Sequence, residues 1–336
     1  MRKPLLAVLV AATLGAQAQE PETPLRTLPY SPGLDPASMD RSIDPCVDFY
    51  QYACGGWIRA NPIPPDQSAW NVYRKLGQDN QRYLWGILDE LGSTSGARNA
   101  AQQKIGDHFA SCMDEAAVEK AGAKPLAPLL ARLNAMRSKS ELGAVLAELH
   151  LATGSSGFFF GFGSNQDFAD STQVIAFAAA GGLGLPDRDY YVKDDAKSQE
   201  IRDKYVAHMK RTFELLGDEP EAASRNAAQV LSMESALARA TLTRVDQRDP
   251  YKLFNKMTLP QVRAMTPTFR WDTYFKGLAF NRTEIFNVTE PVFFQAFEQG
   301  LRAWSLGEVK TYLRWHLARS TSPYLSKAFV NESFEF

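Results

Sequence analysis

A chain of 336 residues is long enough for one large or two ordinary domains. Its apolar share of 45% and charged share of 22% exclude an intrinsically disordered protein. A net charge of −1, with both signs scattered, excludes the basic footprint of a nucleic-acid binder or of a protein that lies on an anionic membrane.

In chain order, Arg2 and Lys3 precede an apolar run over residues 5–14 that is too short to span a bilayer. Ala16-Gln17-Ala18 supplies a small-x-small cleavage site. We therefore expect a secretory signal peptide over residues 1–18 and a secreted or periplasmic mature protein. No later stretch reaches transmembrane length, so no transmembrane segment is expected after signal cleavage. Residues 19–43 are Pro-rich and aperiodic, and read as a linker or an arm lying on a neighbour. Next, DPCVDFYQYACGGWIRANPIP (44–64) places Val47, Tyr50, Cys54, Trp57 and Ile58 on one helical face. Gly55-Gly56 punctuates that helix, and Pro62 and Pro64 forbid its continuation. If Cys46 and Cys54 both ride on it, they stand about 12 Å apart. A disulfide tolerates roughly 7 Å between Cα atoms, so if they are oxidised their partners lie elsewhere. The chain has only one more cysteine, Cys112, and an odd count in a secreted protein means an intermolecular bond, a free thiol or missing sequence.

A helix is predicted over 68–91, with Tyr73, Asn80, Leu84, Ile87 and Leu88 on one stripe. Another carries Ile105, Phe109, Cys112, Met113 and Ala116. Leu126, Leu129, Leu130 and Leu133 mark a third, and Ser138 with Glu141 forms a capping box before Leu142, Val145, Leu146 and Leu149. The pattern then changes: 157–163 is aromatic and Gly-rich, 172–177 is β-branched and apolar, and the pair reads as a β-hairpin with a long loop. Helical spacing resumes with Ile201, Tyr205, Met209 and Leu216. It continues over 222–243, 259–264, 271–275, 291–302 and 306–319. The fold class is mainly α, a multi-helix domain with a minor β-hairpin. Phe329, Phe334 and Phe336 alternate at the end, where a terminus is usually loose and polar, so we expect the polypeptide to continue.

The chemistry of common active sites is sparse. His108, His150, His208 and His316 have no histidine one helical turn away, and H-E-x-x-H does not occur. Each reads as a packing histidine rather than a ligand. Neither G-x-S-x-G nor a phosphate loop is present. Asp187-Arg188-Asp189 reads as a local ion-pair and turn device. Cys112, on the stripe of Ile105 and Phe109, reads as a buried inert thiol or, after secretion, as half of a cystine.

Several blocks, in order, resemble the neprilysin-like zinc metallopeptidase family, specifically its N-terminal helical domain. They are 44–64, FASCMDEAAVEKAG from Phe109, FGFGSNQDFADSTQVIA from Phe160, GGLGLPDRDYY from Gly181, LARATLTRVDQRDPYKLFNKMT from Leu237 and YLRWHLARSTSPYLSKAFVNESFEF from Tyr312. The resemblance implies a cap over residues 44–336 that faces a catalytic domain across an enclosed cavity and restricts entry to peptide substrates. The family's H-E-x-x-H helix and downstream glutamate fall beyond Phe336. Zinc is therefore a cofactor of the full-length member and of none of the residues here, and the chain alone is expected to be inactive. The resemblance makes Cys46, Cys54 and Cys112 half-cystines whose partners lie in the missing catalytic domain or shortly after the present end. It also makes Trp70, Asn71, Tyr73 and Arg74 lining of the substrate cavity. Neprilysin-type members hold the substrate carboxylate with an arginine at the position of Ala69, so that clamp is absent here. The alternative is a stand-alone, non-enzymatic module that binds peptides or a separate catalytic chain.

Overall fold

The computed structural model describes residues 22–30, 32–93, 96–154, 157–281 and 285–336. The expected signal peptide lies outside the described residues. The chain divides into two compact units, the first ending at Asp114 and the second Glu115–Phe336.

The first unit contains α1 (Phe49–Ala60), α2 (Val72–Ser93) and α3 (Ala100–Met113). Asp48 caps α1 by accepting from Gln51 N at 2.9 Å, which leaves Cys46 on the turn before the helix rather than on it. The separation expected for two helical cysteines therefore does not apply. Gly55-Gly56 does not end α1 either. A Cβ at Gly56 would collide with the backbone of residues 37–39, and one at Gly55 would crowd Asp40, so this pair of glycines admits a neighbouring segment. Asp40 pairs with Arg59, and Ser42's hydroxyl, then that guanidinium, pull its carboxyl down to about 2. The Pro-rich arm lies on its own unit: Leu25 N donates to Arg82 O at 2.9 Å, and Arg82 Nε donates to Thr23 O at 2.8 Å.

Helix α2 starts later than its periodicity suggests, because the Asn71 side chain accepts from Arg74 N at 2.9 Å and sets the boundary. Its apolar stripe is not core: Tyr73, Leu84 and Ile87 are exposed, while Asp79 and Gly86 are buried. Helix α3 begins at a capping box of Asn99 and Gln102 and ends at Asp114, which separates it from Ala116.

The second unit contains α4 (Glu115–Ala121), α5 (Ala127–Ala135), α6 (Leu142–Thr153), β1 (Phe160–Gln166), β2 (Val174–Ala180), α7 (Asp189–Val192), α8 (Ala196–Leu215) and α9 (Pro220–Ala240). It continues with β3 (Lys256–Thr258), α10 (Leu259–Met265), α11 (Trp271–Gly277), β4 (Ile285–Val288), α12 (Pro291–Ala303), α13 (Leu306–Thr321) and α14 (Lys327–Glu335). The Ser138–Glu141 capping box is present, and a 3-10 turn carries it into α6. The predicted hairpin forms as β1 and β2, antiparallel with Phe162 opposite Ala178. It is half of a larger sheet in the order β1-β2-β4-β3, where β2 and β4 run parallel with Ala176 opposite Phe286. The final apolar alternation is helical, as α14, with Phe329 buried and Phe334 exposed. The core is aromatic: fully buried Phe160 meets Phe269, Trp271, Tyr274, Phe294 and Phe297 at ring distances of 5.3–5.9 Å.

Candidate functional site

The four residues expected to line a substrate cavity sit at the start of α2. Trp70 is half-buried, and Asn71, Tyr73 and Arg74 are exposed. Asn71 is committed to the helix cap, and Arg74 Nη1 donates to Gln67 Oε1 at 3.1 Å. Tyr73, 85% exposed, projects freely. Ala69 is exposed beside them and supplies no charge.

All three cysteines are free thiols, Cys46 and Cys112 exposed and Cys54 half-buried. Cys112 is therefore not the buried thiol that its stripe suggested; its face of α3 also leaves Ile105 and Met113 exposed.

The histidines do not converge. His108 is exposed, contrary to the packing role expected of it. The other three pack as expected. His150 Nδ1 is 2.8 Å from Tyr274 Oη, and burial depresses its pKa to about 4. His208 Nδ1 is 2.8 Å from Glu332 Oε1; burial lowers its pKa, partly offset by that carboxylate. His316 lies against Glu234 Oε1 at 2.9 Å without hydrogen-bond alignment, and burial lowers its pKa too. Among the described residues no group of three or more His, Cys, Asp or Glu side chains is placed to hold a metal ion. The described residues do not fit a zinc site.

The best-organised polar cluster in the second unit surrounds Glu234 on α9, which periodicity alone gave no reason to notice. Its carboxylate accepts from Tyr191 Oη at 2.7 Å and from Tyr205 Oη at 3.0 Å. Tyr191 Oη accepts in turn from Leu185 N at 2.7 Å, and Tyr205 Oη from Trp315 Nε1 at 2.9 Å. A Cβ at Gly184 would occupy the position of the Tyr205 hydroxyl. The run 181–191 thus holds a turn against a buried acceptor: Gly184 makes room, and Tyr191 supplies the bond. Gly182, at φ +71°, brings its carbonyl to Tyr312 Oη, which donates to it at 2.6 Å. Asp187 does act as a turn device, accepting from Asp189 N at 2.8 Å, but its ion-pair partner is Arg244 rather than Arg188.

A cavity of about 1000 Å³ lies against β1, β2 and the end of α11. Its described lining, including Phe162, Val174, Leu278, Phe280 and Ile285, is largely apolar, and among the described residues none of the lining groups is titratable.

Comparison with known proteins places this geometry. Residues 45–336 match the N-terminal model of peptidase family M13. Endothelin-converting enzyme 1 of Homo sapiens is 29% identical over 310 residues, which is 89% of this chain and 40% of that protein. An endothelin-converting enzyme homolog of Locusta migratoria is 31% identical over 309 residues, covering 87% of this chain and 42% of its own length. The crystal structure of the Mycobacterium tuberculosis zinc metalloprotease Zmp1 in complex with an inhibitor superimposes with a TM-score of 0.77 at 28% identity, over 90% of this chain and 46% of that one. The chain thus spans about two fifths of the relatives' own length. With residues 45–336, nearly the whole chain, covered by the family model, the chain belongs to peptidase family M13, as its N-terminal domain.

Proposed function

We propose that this chain is the N-terminal, substrate-access portion of a secreted or periplasmic zinc metalloendopeptidase acting on peptides. Zinc, its ligands and the general base belong to sequence outside the given residues. The family match over 45–336, in relatives more than twice as long, carries this reading. The scattered histidines support it, since His150 and His208 are bonded to Tyr274 and Glu332, His316 is packed against Glu234, and His108 lies apart on α3. In the same reading Cys46, Cys54 and Cys112 are half-cystines awaiting partners in the rest of the protein. The start of α2, with half-buried Trp70 and exposed Asn71, Tyr73 and Arg74, faces the peptide. Ala69 offers no fork for a terminal carboxylate, so dipeptidyl carboxypeptidase-type preference is not part of the proposal.

Metal analysis after dialysis, paired with a quenched-fluorescence peptide assay, tests it. The chain alone is expected to hold no stoichiometric zinc and to cleave nothing, and the same chain continued into a family catalytic portion to cleave peptides in a chelator-sensitive way. One tightly bound zinc per chain with cleavage by the chain alone would overturn the proposal.

A further inference from the structure

A second cavity, about 470 Å³, opens in the second unit where the 181–188 turn meets the loop after α9 and the last turn of α13. Three arginines from three separate stretches line it: Arg188, Arg244 and Arg319. Each is held by a backbone carbonyl. Arg188 Nε donates to Ala238 O at 3.1 Å, Arg319 Nη2 donates to Gly184 O at 2.8 Å, and Arg244 Nη2 donates to Pro186 O. Arg244 Nε also donates to Asp187 Oδ2 at 3.0 Å. A guanidinium carries five N–H donors, so these bonds use about four of roughly fifteen. The remaining donors have no protein acceptor, yet their side chains are already fixed in place. Among the described residues, Asp187 is the one carboxylate in the lining. Glu290, whose carboxylate also feels Arg188, accepts from Leu242 N at 2.5 Å and Gln247 Nε2 at 3.4 Å. Leu183, Leu185 and Leu242 are the larger apolar residues among its lining.

Preset guanidinium forks with spare donors match the geometry of carboxylate and phosphate oxygens. The volume lies within the range of small-molecule sites, and the leucines suit an apolar body rather than a bare ion. We propose that this cavity binds a small organic oxyanion, a carboxylate or phosphate group carried on an apolar body, with Arg244 and Arg319 as its principal donors. The site is independent of the peptidase reading and lies outside the start of α2.

Isothermal titration of the full chain tests it with four probes: 3-phenylpropionate, phenyl phosphate, inorganic phosphate and the uncharged 3-phenylpropionamide. Saturable binding is expected for at least one of the two organic anions, stronger than for inorganic phosphate, absent for the amide, and weakened by added salt. Whichever organic anion binds tighter identifies the head group. Arg244→Gln and Arg319→Gln are each expected to weaken binding about tenfold, the loss of one charge-assisted hydrogen bond. Arg244 has a side chain 62% exposed, so its variant keeps the test valid if Arg319→Gln folds poorly. Arg263→Gln, at a surface pair with Asp272 elsewhere, is expected to bind as wild type does. The proposal is overturned if no probe binds, if the amide binds as well as the acid, if inorganic phosphate binds as tightly as phenyl phosphate, or if both cavity variants keep wild-type affinity.

Discussion

Glu234 is fully buried, and Tyr191, Tyr205 and His316 all face it. A carboxylate in such a place is tolerated only with its acceptor sites occupied. Removing it leaves two tyrosine hydroxyls stranded in the core, so Glu234→Ala is expected to destabilise the second unit by about 3 kcal/mol. Glu234→Gln, which keeps the shape and one acceptor, should cost less. Urea unfolding followed by tryptophan fluorescence measures both, and equal losses would show that the hydroxyl bonds contribute nothing. The three buried histidines add a pH dependence of defined sign. Their folded pKa values are depressed by burial, His150 to about 4, so between their ordinary value near 6.5 and the folded value the unfolded chain binds more protons. Stability is therefore full above that window and declines as pH falls through it, by about 1.4 kcal/mol per pH unit for each histidine involved. Thermal melts from pH 7 to pH 4.5 should show a falling midpoint, and His150→Asn should flatten the slope. A midpoint that is constant or rises on acidification contradicts this assignment.

At the level of elements, glycines govern how helices of the first unit receive their neighbours. A Cβ at Gly86 would collide with the carbonyl of Leu25, and one at Gly106 with the carbonyl of Leu91. Gly86→Ala must push the arm off α2, at about 1–3 kcal/mol. Faster proteolysis near residue 25 is the expected readout; unchanged protection would mean that the arm is not seated there. These contacts explain what the sequence could and could not reveal. Helix periodicity located α5, α6 and α8–α13 because those elements bury one face in the same core. The same reasoning misplaced the buried side of α2, whose apolar stripe is exposed while Gly86 carries the contact, and it stopped α1 at a glycine pair that marks close packing. Strands β3 and β4, of three and four residues, are too short to show alternation, and β4 is paired by a strand far away in the chain. The Glu234 cluster escaped because its members lie on separate elements. Of the residues inferred by resemblance to line a cavity, Asn71, Tyr73 and Arg74 are exposed and Trp70 is half-buried, and Asn71 also caps α2.

For the molecule as a whole, the parallel pairing of β2 with β4 sets Ala176 opposite Phe286, a separation of 286 − 176 = 110 residues. A ribosome adds residues at about 5–20 per second, so strand 174–180 waits roughly 6–22 s for its second neighbour. Until then it belongs to a two-stranded hairpin, which is marginal in water, and it presents VIAFAAA along an open edge. A chain ending at residue 280 is therefore expected to aggregate or to be retained by chaperones, while one ending at 336 stays dispersed, as light scattering at equal concentration would register. Equal behaviour of the two would mean that the hairpin protects itself. The order in which this polypeptide is made thus leaves its sheet half-assembled through the synthesis of α7 to α11, with one edge of β2 waiting uncovered along the way.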